Sequence, residues 1–458
     1  MQSAYARENL RTRSLEDQSG HPAEITGWGR FPVVTADERR SEDLFQLTKR
    51  APLTRGLGRA YGDAALVSPG DRHVANSTLA DRILEFDAGT GLLTAEAGLS
   101  LDEIYRVFLP RGYFTPVSPG TRFVTLGGMV ASDVHGKNHH CEGTIGRHIE
   151  SLTMRVATGD IVTCSRTSHP DLFRATLGGM GLTGHVLHVS VKLARVASPW
   201  IVAERERVSE IASFVAALES ASRSWPLTAG WLDCLSSGRH AGRGVLYRGR
   251  WATADEAPSG FPALRTPISV PFACPEFLLG PLTVRTFNGL NYWRHVPRVR
   301  RAIVRPAKFF YPLDGLGNWN LLYGKRGFIQ YQCVLPKDAG PGAAARLLRR
   351  LTQQGGTAFL CVIKDCGPEG EGLLSFPMPG ISVALDIPCT PDIQTLVDAL
   401  NDQVLDEGGR IYLAKDVITR AEHFRRMEPR LDEFLRVRRK WDPAGRIRSA
   451  QSVRLFGW

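Results

Sequence analysis

The sequence lacks an apolar run long enough to cross a bilayer, since no stretch reaches the ~18 residues that a spanning helix needs. The strongest candidate, Ile268–Val284, is interrupted by three prolines and by Glu276. Near the N-terminus, Arg7–Arg13 carries three arginines without an apolar core, so we expect no secretory signal. These features exclude a transmembrane segment and favour a cytoplasmic protein.

Paired cysteine motifs are also lacking. The eight cysteines are scattered from Cys141 to Cys389, and none forms a C-x-x-C pair. This spacing fits neither a disulfide framework nor a structural zinc site, so we expect reduced thiols. The sequence contains no internal repeat either, which argues against a solenoid.

Length and charge set broad limits on what remains. A chain of 458 residues is too long for one ordinary domain, so two large units are expected. With 43% hydrophobic and 22% charged residues, the composition is that of a soluble globular protein. The net charge of +11 favours an anionic partner: nucleic acid, a phospholipid surface or a phosphorylated substrate.

The stretch Val117–His148 is the most unusual part of the chain, because it holds two Gly-rich turns and four of the twelve histidines. The turn Pro119–Thr121 and the small residues before Met129–Ala131 predict exposed amides beside the first turns of a helix. Such amides suit a phosphate or pyrophosphate. Further on, Gly136 lets a flat group approach the backbone. A ligand-binding loop is therefore favoured over ordinary surface turns.

Two more Gly-rich segments flank this loop. Thr54–Asp63, TRGLGRAYGD, contains three glycines, but the third comes one residue too late for G-x-G-x-x-G. A Rossmann dinucleotide site is therefore disfavoured. Gly178–Gly184, GGMGLTG, precedes an alternating strand at His185–Lys192.

Periodicity predicts further strands and helices, and it separates two regions at about residue 198. In the first, we expect strands Ile83–Asp87 and Leu92–Ala97, a helix Leu101–Leu109, and a hairpin of Leu152–Ala157 with Ile161–Cys164. In the second, we expect helices Ile211–Ser222 and Ala343–Gln354, and strands Gly327–Leu335, Ala358–Ile363 and Ile381–Ile387. The second pattern is typical of a half-buried antiparallel sheet with helices on one face.

The segment Arg285–Lys308 is basic and aromatic, and its prolines Pro297 and Pro306 predict a mobile loop. An ordinary solvated loop and an attachment to an anionic membrane surface both fit this composition.

Taken in order, the motifs TRGLGRAYGD, PGTRFVTLGGMVASDVHGKNHH, GGMGLTG, RIYLAKD and VRRKWDP resemble those of the vanillyl-alcohol-oxidase/p-cresol-methylhydroxylase (VAO/PCMH) type of FAD enzymes. Within this superfamily, HGKNHH and KFFYPLDGLGNWN (Lys308–Asn320) are similar to the decaprenylphosphoryl-β-D-ribose 2′-oxidases, the flavin subunits of a 2′-epimerase. The resemblance extends over nearly the whole chain after Ile25.

The resemblance implies an α+β, two-domain VAO/PCMH-type fold. Residues 1–197, completed by 411–458, would bind FAD, and an inserted domain, 198–410, built on an antiparallel sheet, would bind substrate. The implied FAD-binding residues are Arg55, Gly56, Leu57, Gly58, Arg59, Ala60, Tyr61, Gly62, Asp63, Gly120, Thr121, Thr125, Leu126, Gly127, Gly128, Ser132, Asp133, Val134, His135, Val186 and Tyr412. The FAD should be non-covalent, because Arg59 stands where covalent members carry a histidine in the first turn, and the second turn has no cysteine.

Alcohol oxidation on a flavin also needs a group that takes the hydroxyl proton. Lys415 is the first candidate by resemblance, with Tyr61 and His135 next. His135, His139 and His140 could instead bind a metal, although no carboxylate or cysteine completes a known spacing, so no metal is expected. The implied substrate-binding residues are Trp231, Gln330, Gln332, Lys364, Ser382, Ala384 and Lys415.

Several substrate positions depart from the family pattern. Ala384 replaces a cysteine, Ser382 an asparagine and Leu321 an arginine, and Phe310, followed by Tyr311, replaces a tyrosine. The expected reaction is therefore oxidation of a sugar hydroxyl, most like the 2′-OH of polyprenylphosphoryl-ribose in arabinose formation. An NAD(P)H-dependent short-chain reductase would be the partner. The alternative is an oxidase of a free sugar, aminosugar or pseudosaccharide.

A non-enzymatic alternative is a basic nucleic-acid-binding protein. The charge allows it, but the sequence holds no recognition motif and its basic residues are dispersed. We therefore expect no nucleic-acid partner.

Overall fold

A computed structural model describes residues 22–263 and 267–458, so the N-terminal stretch Arg7–Arg13 lies outside the described residues. The chain is an α+β protein with three larger β-sheets and helices packed against them. Within these two ranges, no helix combines the length and apolar character that crossing a bilayer requires.

The first sheet leads into the first Gly-rich loop. Its four strands follow the order β1-β2-β4-β3, in which β1 and β2 are antiparallel and the other pairs are parallel. The strands are β1 Ala23–Thr26, β2 Val33–Arg40, β3 Thr54–Arg55 and β4 His73–Asn76. A short helix, α1 (Leu44–Leu47), connects β2 to β3. Because β3 ends at Arg55, the loop from Gly56 onward leaves from the sheet edge.

The second sheet is antiparallel, with the order β5-β6-β10-β8-β9. Its strands, and the small pair β7 with β11, are β5 Ile83–Asp87, β6 Leu92–Glu96, β7 Tyr113–Phe114, β8 Ile149–Arg155, β9 Ile161–Ser165, β10 His185–Lys192 and β11 Ala194–Arg195. The accompanying helices are α2 Leu101–Phe108, α3 Leu126–Ala131, α4 His139–Glu142 and α5 Pro170–Thr176. The strands, hairpin and helix predicted for this region are confirmed.

The third sheet has eight strands in the order β16-β12-β14-β13-β19-β20-β18-β21, and all its neighbours are antiparallel. The strands of this region, with the separate parallel pair β15 and β17, are β12 Ile201–Val208, β13 Leu227–Leu232, β14 Gly244–Trp251, β15 Ile268–Ser269, β16 Val299–Val304, β17 Leu316–Gly317, β18 Phe328–Pro336, β19 Cys361–Cys366, β20 Gly380–Pro388 and β21 Arg410–Ile411. The predicted antiparallel sheet is present. The proposed division at 198–410 stays a prediction.

The remaining helices are α6 Ile211–Ser222, α7 Pro281–Trp293, α8 Pro306–Phe310, α9 Ala343–Gln353, α10 Ile393–Asp406, α11 Ala421–Met427, α12 Leu431–Trp441 and α13 Ala450–Phe456. Three of them, α6, α9 and α10, cover one face of this sheet. Apolar residues of α6, α9 and α10 share one core with the odd-numbered residues of β18 and β20. Since side chains alternate along a strand, the even-numbered residues of β18 and β20 project to the opposite face. That face carries the candidate site.

Two local predictions differ from the structure. Strand β19 begins at Cys361, three residues after the predicted start. Ala358, where the predicted strand begins, is buried but does not belong to a strand. The mobile loop predicted for Arg285–Lys308 is wrong: α7 ends before Pro297, and β16 then forms the edge of the third sheet. Pro297 lies in the connection between α7 and β16, and Pro306 is the first residue of α8, so neither removes a ladder hydrogen bond.

Candidate active site

Polar side chains lie in rows on the face of the third sheet that is opposite α6, α9 and α10. Directly opposed residues in antiparallel strands point to the same face, so their register defines each row. Gln330 on β18 faces Asp386 on β20, and Lys364 on β19 faces Ser382. The longest row runs through Trp231, Val362, Ala384 and Gln332. The structure thus brings together the substrate-binding residues that the resemblance implies.

His135 reaches this face from the central loop. Lys364 Nζ lies 3.3 Å from His135 Nδ1, and Gln332 Nε2 lies 3.2 Å from His135 Nε2. Gln332 also contacts the Ser382 hydroxyl at 3.1 Å. Burial and the neighbouring Lys364 cation hold the pKa of His135 well below its usual value. His135 is therefore a neutral imidazole at neutral pH, suited to orienting a ligand.

Lys415 lies at the other end of the row. It sits in a turn after β21, and its Nζ lies 3.8 Å from the centre of the Tyr61 ring. Among the described residues, Lys415 makes no salt bridge with its chain neighbour Asp416. Asp416 instead pairs with Arg454 at 2.7 Å. Burial lowers the pKa of Lys415 to about 7, so a neutral amine is available near neutral pH.

Asp386 is a site residue that we did not anticipate from the sequence. It is fully buried, accepts a hydrogen bond from Gln330, and lies 3.4 Å from the Tyr323 hydroxyl. Burial raises the pKa of this carboxyl group, while its charge in turn favours the protonated form of Lys415. Asp386 can thus tune the basicity of Lys415.

Lys137 is the second missed residue. Its ammonium donates a hydrogen bond to the Phe310 carbonyl oxygen at 2.9 Å, and burial lowers its pKa to about 7. Burial also lowers the pKa of Lys364, to about 8. The lysine inside HGKNHH was the available signal. Together, these three partly buried lysines can give the site positive charge when they are protonated, which an anionic ligand can satisfy.

The first and second Gly-rich segments contact each other. A Cβ on Gly56 would lie 2.3 Å from Thr125 Oγ1, so the first and second Gly-rich segments touch and a side chain there would separate them. Gly58 has φ +63°, and the Arg55 guanidinium occupies the place its Cβ would take. By contrast, the Cβ position of Gly120 faces open space.

Arginines brace the first loop. Arg55 donates to the carbonyl oxygens of Thr26 at 2.7 Å and Ala65 at 3.2 Å. The Arg59 guanidinium carbon lies 4.1 Å from the centre of the Trp28 ring, and burial lowers the pKa of Arg59 to about 10. A glycine loop with an adjacent, partly buried cation fits the pyrophosphate of FAD.

The second loop differs in one respect from the prediction. The amides at the start of α3 already have partners: Leu126 donates to Leu99, Gly127 to Ala97 and Gly128 to Thr125 Oγ1. The prediction of free amides at this helix start is therefore wrong, because these amides already donate hydrogen bonds within the protein. Gly120 and Thr121, in the preceding turn, stay candidates for cofactor contact.

Of the remaining predicted cofactor residues, Tyr412 lies beside His135. The Tyr412 hydroxyl donates to the Ser132 carbonyl oxygen at 2.9 Å, and the ring of Tyr412 lies 5.4 Å from that of His135. The Asp133 carboxylate points into the core, where it accepts hydrogen bonds from Ser375 and from the Gly146 amide. Ala60, Gly62, Asp63, Val134 and Val186 lie along the same loops or on β10, and their contacts with FAD stay predictions.

The three histidines considered as metal ligands have separate partners. His139 Nδ1 accepts a hydrogen bond from the Gly367 amide at 3.0 Å, and His140 Nε2 lies 2.9 Å from the Trp225 carbonyl oxygen. Within residues 22–263 and 267–458, no cluster of three or more His, Cys, Asp or Glu side chains is placed to hold a metal ion.

Comparison with known proteins agrees with this geometry. Residues 45–165 match the FAD-binding domain family. The chain is 34% identical over 452 residues to the decaprenylphosphoryl-β-D-ribose oxidase of Mycolicibacterium smegmatis, with 94% of this chain and 97% of that protein covered. The chain belongs to the VAO/PCMH-type FAD-linked oxidoreductases. It is accordingly an FAD-dependent enzyme that oxidises a CH–OH group.

Two further proteins are also similar to this chain. An uncharacterised protein from the mprA 5′ region of Streptomyces coelicolor is 30% identical over 371 residues, which cover 78% of this chain and 100% of that one. The L-gulonolactone oxidase of Scyliorhinus torazame is 29% identical over 166 residues, 35% of this chain and 36% of that one. The latter match is confined to part of each chain.

Three of the departures from the family pattern lie in or beside the site. Ala384 and Ser382 belong to the polar rows, and the backbone carbonyl of Phe310 holds Lys137. The eight cysteines are free, and Cys333 and Cys361 pair with Val383 and Leu385, whose side chains point to the helix-covered face. Neither Cys333 nor Cys361 therefore takes the place of the missing thiol at position 384.

Proposed function

We propose that this enzyme oxidises a secondary hydroxyl of a sugar, most like the 2′-OH of a polyprenylphosphoryl-ribose. The observation that carries the proposal is Lys415, partly buried over Tyr61 at the end of a polar sheet face that adjoins the glycine loops. Bound FAD supplies the hydride acceptor in this chemistry. The chain must therefore bind the sugar, orient its hydroxyl and take one proton.

Lys415 takes that proton. Its neutral amine accepts the hydroxyl proton as the C–H hydride leaves, so the oxidised sugar carries a carbonyl group and Lys415 becomes an ammonium ion. The Asp386 charge then stabilises the new cation. The Tyr61 ring, whose face lies under Nζ, stabilises it further by a cation–π contact.

The other end of the row orients the sugar. Neutral His135, Gln332 and Ser382 provide donors and acceptors for sugar hydroxyls. Lys137 and Lys364 supply positive charge in the same buried region, which suits a phosphodiester on the anomeric carbon of the substrate. Similarity to the decaprenylphosphoryl-β-D-ribose oxidase supports this choice of substrate.

The product would be a 2-keto sugar, which an NAD(P)H-dependent short-chain reductase would reduce to complete the epimerisation. FAD would be held non-covalently. With a lipid-linked substrate, the enzyme would work in contact with a membrane surface.

A free sugar, aminosugar or pseudosaccharide is the second candidate substrate. Two observations favour it: the changed positions Ser382 and Ala384 lie in the polar rows, and part of the chain is similar to an L-gulonolactone oxidase. Either substrate uses the same proton acceptor.

Product analysis tests the proposal. The yellow holoenzyme, with absorbance near about 450 nm from its flavin, is incubated with polyprenylphosphoryl-ribose and, separately, with free ribose and free aminosugars. We expect a ketone two hydrogens lighter from the lipid-linked substrate. A ketone from the free sugars alone moves the second candidate ahead. A colourless protein that shifts oligonucleotides contradicts both.

A further inference from the structure

Exposed apolar side chains are concentrated in one part of this enzyme. Among residues 22–263 and 267–458, fourteen large hydrophobic side chains are exposed, and ten of these lie between Phe261 and Ile303. The most exposed include Ile268 and Leu282, each 78% accessible, Leu290 at 69% and Trp293 at 60%. Exposed apolar side chains that are clustered in this way mark a site of interaction with another molecule or with a membrane.

Three of them form one face of α7. Leu282, Leu290 and Trp293 are spaced by eight and three residues, which places them on the same side of a helix. We call these three residues the α7 face. Val284, Asn288 and Tyr292 lie on the opposite side and are buried. One face of the helix therefore packs inward, and the opposite face is apolar and exposed to solvent.

The inward side fixes the orientation of α7. Asn288 donates to the buried Asp233 carboxylate at 2.9 Å, and Asp233 also pairs with Arg243 at 3.0 Å. The Arg207 and Arg243 guanidinium groups lie over the Tyr292 ring, at 5.3 and 4.9 Å. Turning the α7 face inward would break these buried polar contacts, so it stays exposed.

The inward side also touches the active site. Tyr292 packs in one cluster with Trp231, which belongs to the substrate row. Phe287 stacks on Phe359 with ring centres 5.0 Å apart, and Phe359 in turn contacts Tyr323, the neighbour of Asp386. The α7 helix is therefore a layer between the substrate row and the surface.

The surroundings of the α7 face are strongly basic. Residues 281–308 contain seven Lys and Arg residues and no Asp or Glu. Arg298 and Arg301 have acidic neighbours, Glu206 at 3.2 Å and Glu256 at 3.7 Å. In the part of the chain that the structure describes, Arg285, Arg294 and Arg300 have no ion-pair partner.

We propose that the α7 face and the arginines of residues 281–308 form a docking surface for an anionic lipid bilayer. This inference deepens the proposed function, because it names the phase from which a lipid-linked substrate enters. Leucine and tryptophan insert at the headgroup boundary, and the arginines bind the anionic headgroups. A second copy of the chain is a poorer occupant, because it would place the same arginines against each other.

The test uses holoenzyme and vesicles, with no sugar substrate. Vesicles contain equal parts of phosphatidylcholine and phosphatidylglycerol, or phosphatidylcholine alone, and binding is measured by flotation. We expect binding to the anionic vesicles, and its loss in about 1 M salt, where the Debye length is about 3 Å. Wild-type enzyme that floats with neither vesicle overturns the proposal.

Two variants and two matched controls locate the surface. The triple variant Leu282→Ser, Leu290→Ser and Trp293→Ser should lose binding, whereas Val33→Ser, Leu84→Ser and Ile161→Ser, which changes exposed apolar residues on the other two large sheets, should not. Replacing Arg285 and Arg294 by Gln should weaken partitioning roughly 30-fold, since each arginine near an anionic leaflet is worth a factor of about five. Replacing the exposed Arg425 and Arg426 removes the same charge from α11 and should leave binding nearly unchanged.

Equal losses in variant and control overturn the proposal, because they show a response to overall hydrophobicity or net charge. Brominated lipids add a local readout: they should quench tryptophan fluorescence in the wild type and much less in Trp293→Phe. Wild-type dimers that the Leu282, Leu290 and Trp293 variant converts to monomers, without vesicle binding, would assign the surface to a second copy. Vesicle binding is measured without turnover, so its failure is separable from a failure of the proposed oxidation.

Discussion

Replacing Lys415 by methionine removes the proposed proton acceptor at little cost in volume. The Lys415 amine lies 3.8 Å from the centre of the Tyr61 ring, and the side chain is partly buried beside the polar face of the third sheet. A methionine keeps an unbranched side chain of similar length in this space and has no titrating group. The Lys415→Met enzyme should therefore fold and remain yellow.

The expected loss of rate depends on pH. A positioned general base contributes about 10²- to 10⁴-fold, or about 3–5 kcal/mol of the barrier. Because burial lowers the pKa of Lys415 to about 7, the wild-type rate should rise with pH up to about 7 and then level off. Two units below that pKa, only about 1% of Lys415 is neutral, so the wild-type advantage should shrink by about 100-fold.

Anaerobic stopped-flow bleaching of the flavin measures this difference directly. Lys49→Met, which changes an exposed lysine, is the matched control and should behave as the wild type. The reasoning is refuted if Lys415→Met bleaches at a near-normal rate. A deficit that is constant across the pH range would also contradict it, because the lysine would then act without titrating.

Three further outcomes follow from the site. Asp386→Asn should shift the pH-dependent rise in the rate of flavin reduction to lower pH, because the carboxylate charge raises the pKa of Lys415. If the rate no longer depends on pH in this variant, the titrating group is Asp386. Ala384→Cys should place a thiol on the substrate face that iodoacetamide labels in a substrate-protected manner, whereas stoichiometric labelling of the wild type at Cys389 would show that a native thiol reaches the site. Acid precipitation should release the FAD into the supernatant, because Arg59 occupies the position of a covalent ligand; yellow colour in the pellet would contradict this.

Much of the fold follows from local sequence patterns. Strand β10 (His185–Lys192) and helix α6 (Ile211–Ser222) have the predicted bounds, because their apolar residues recur at the period of the element and are buried. The predicted start of β19 is three residues early, since the apolar segment begins at Ala358, which is buried in a loop. Burial alone does not distinguish a strand from a buried loop.

The site was less accessible from sequence. Gln330, Gln332 and Ser382 could be assigned only by resemblance, because their common face depends on the pairing of strands far apart in the chain. Lys137 was missed for the same reason: its partner is the Phe310 carbonyl, 173 residues away. Helix α7 was predicted as a loop because its buried polar contacts, such as that of Asn288, give no apolar periodicity on the inward side.

The most direct test of the account is an isotope effect on flavin reduction. Polyprenylphosphoryl-ribose carrying deuterium at C2′ is mixed anaerobically with the holoenzyme, and bleaching is compared with that of the unlabelled substrate. The account predicts slower bleaching with the deuterated substrate, since the C2′–H bond breaks as Lys415 takes the hydroxyl proton. Bleaching with equal rates for both substrates, or no bleaching with either, would contradict oxidation at this carbon.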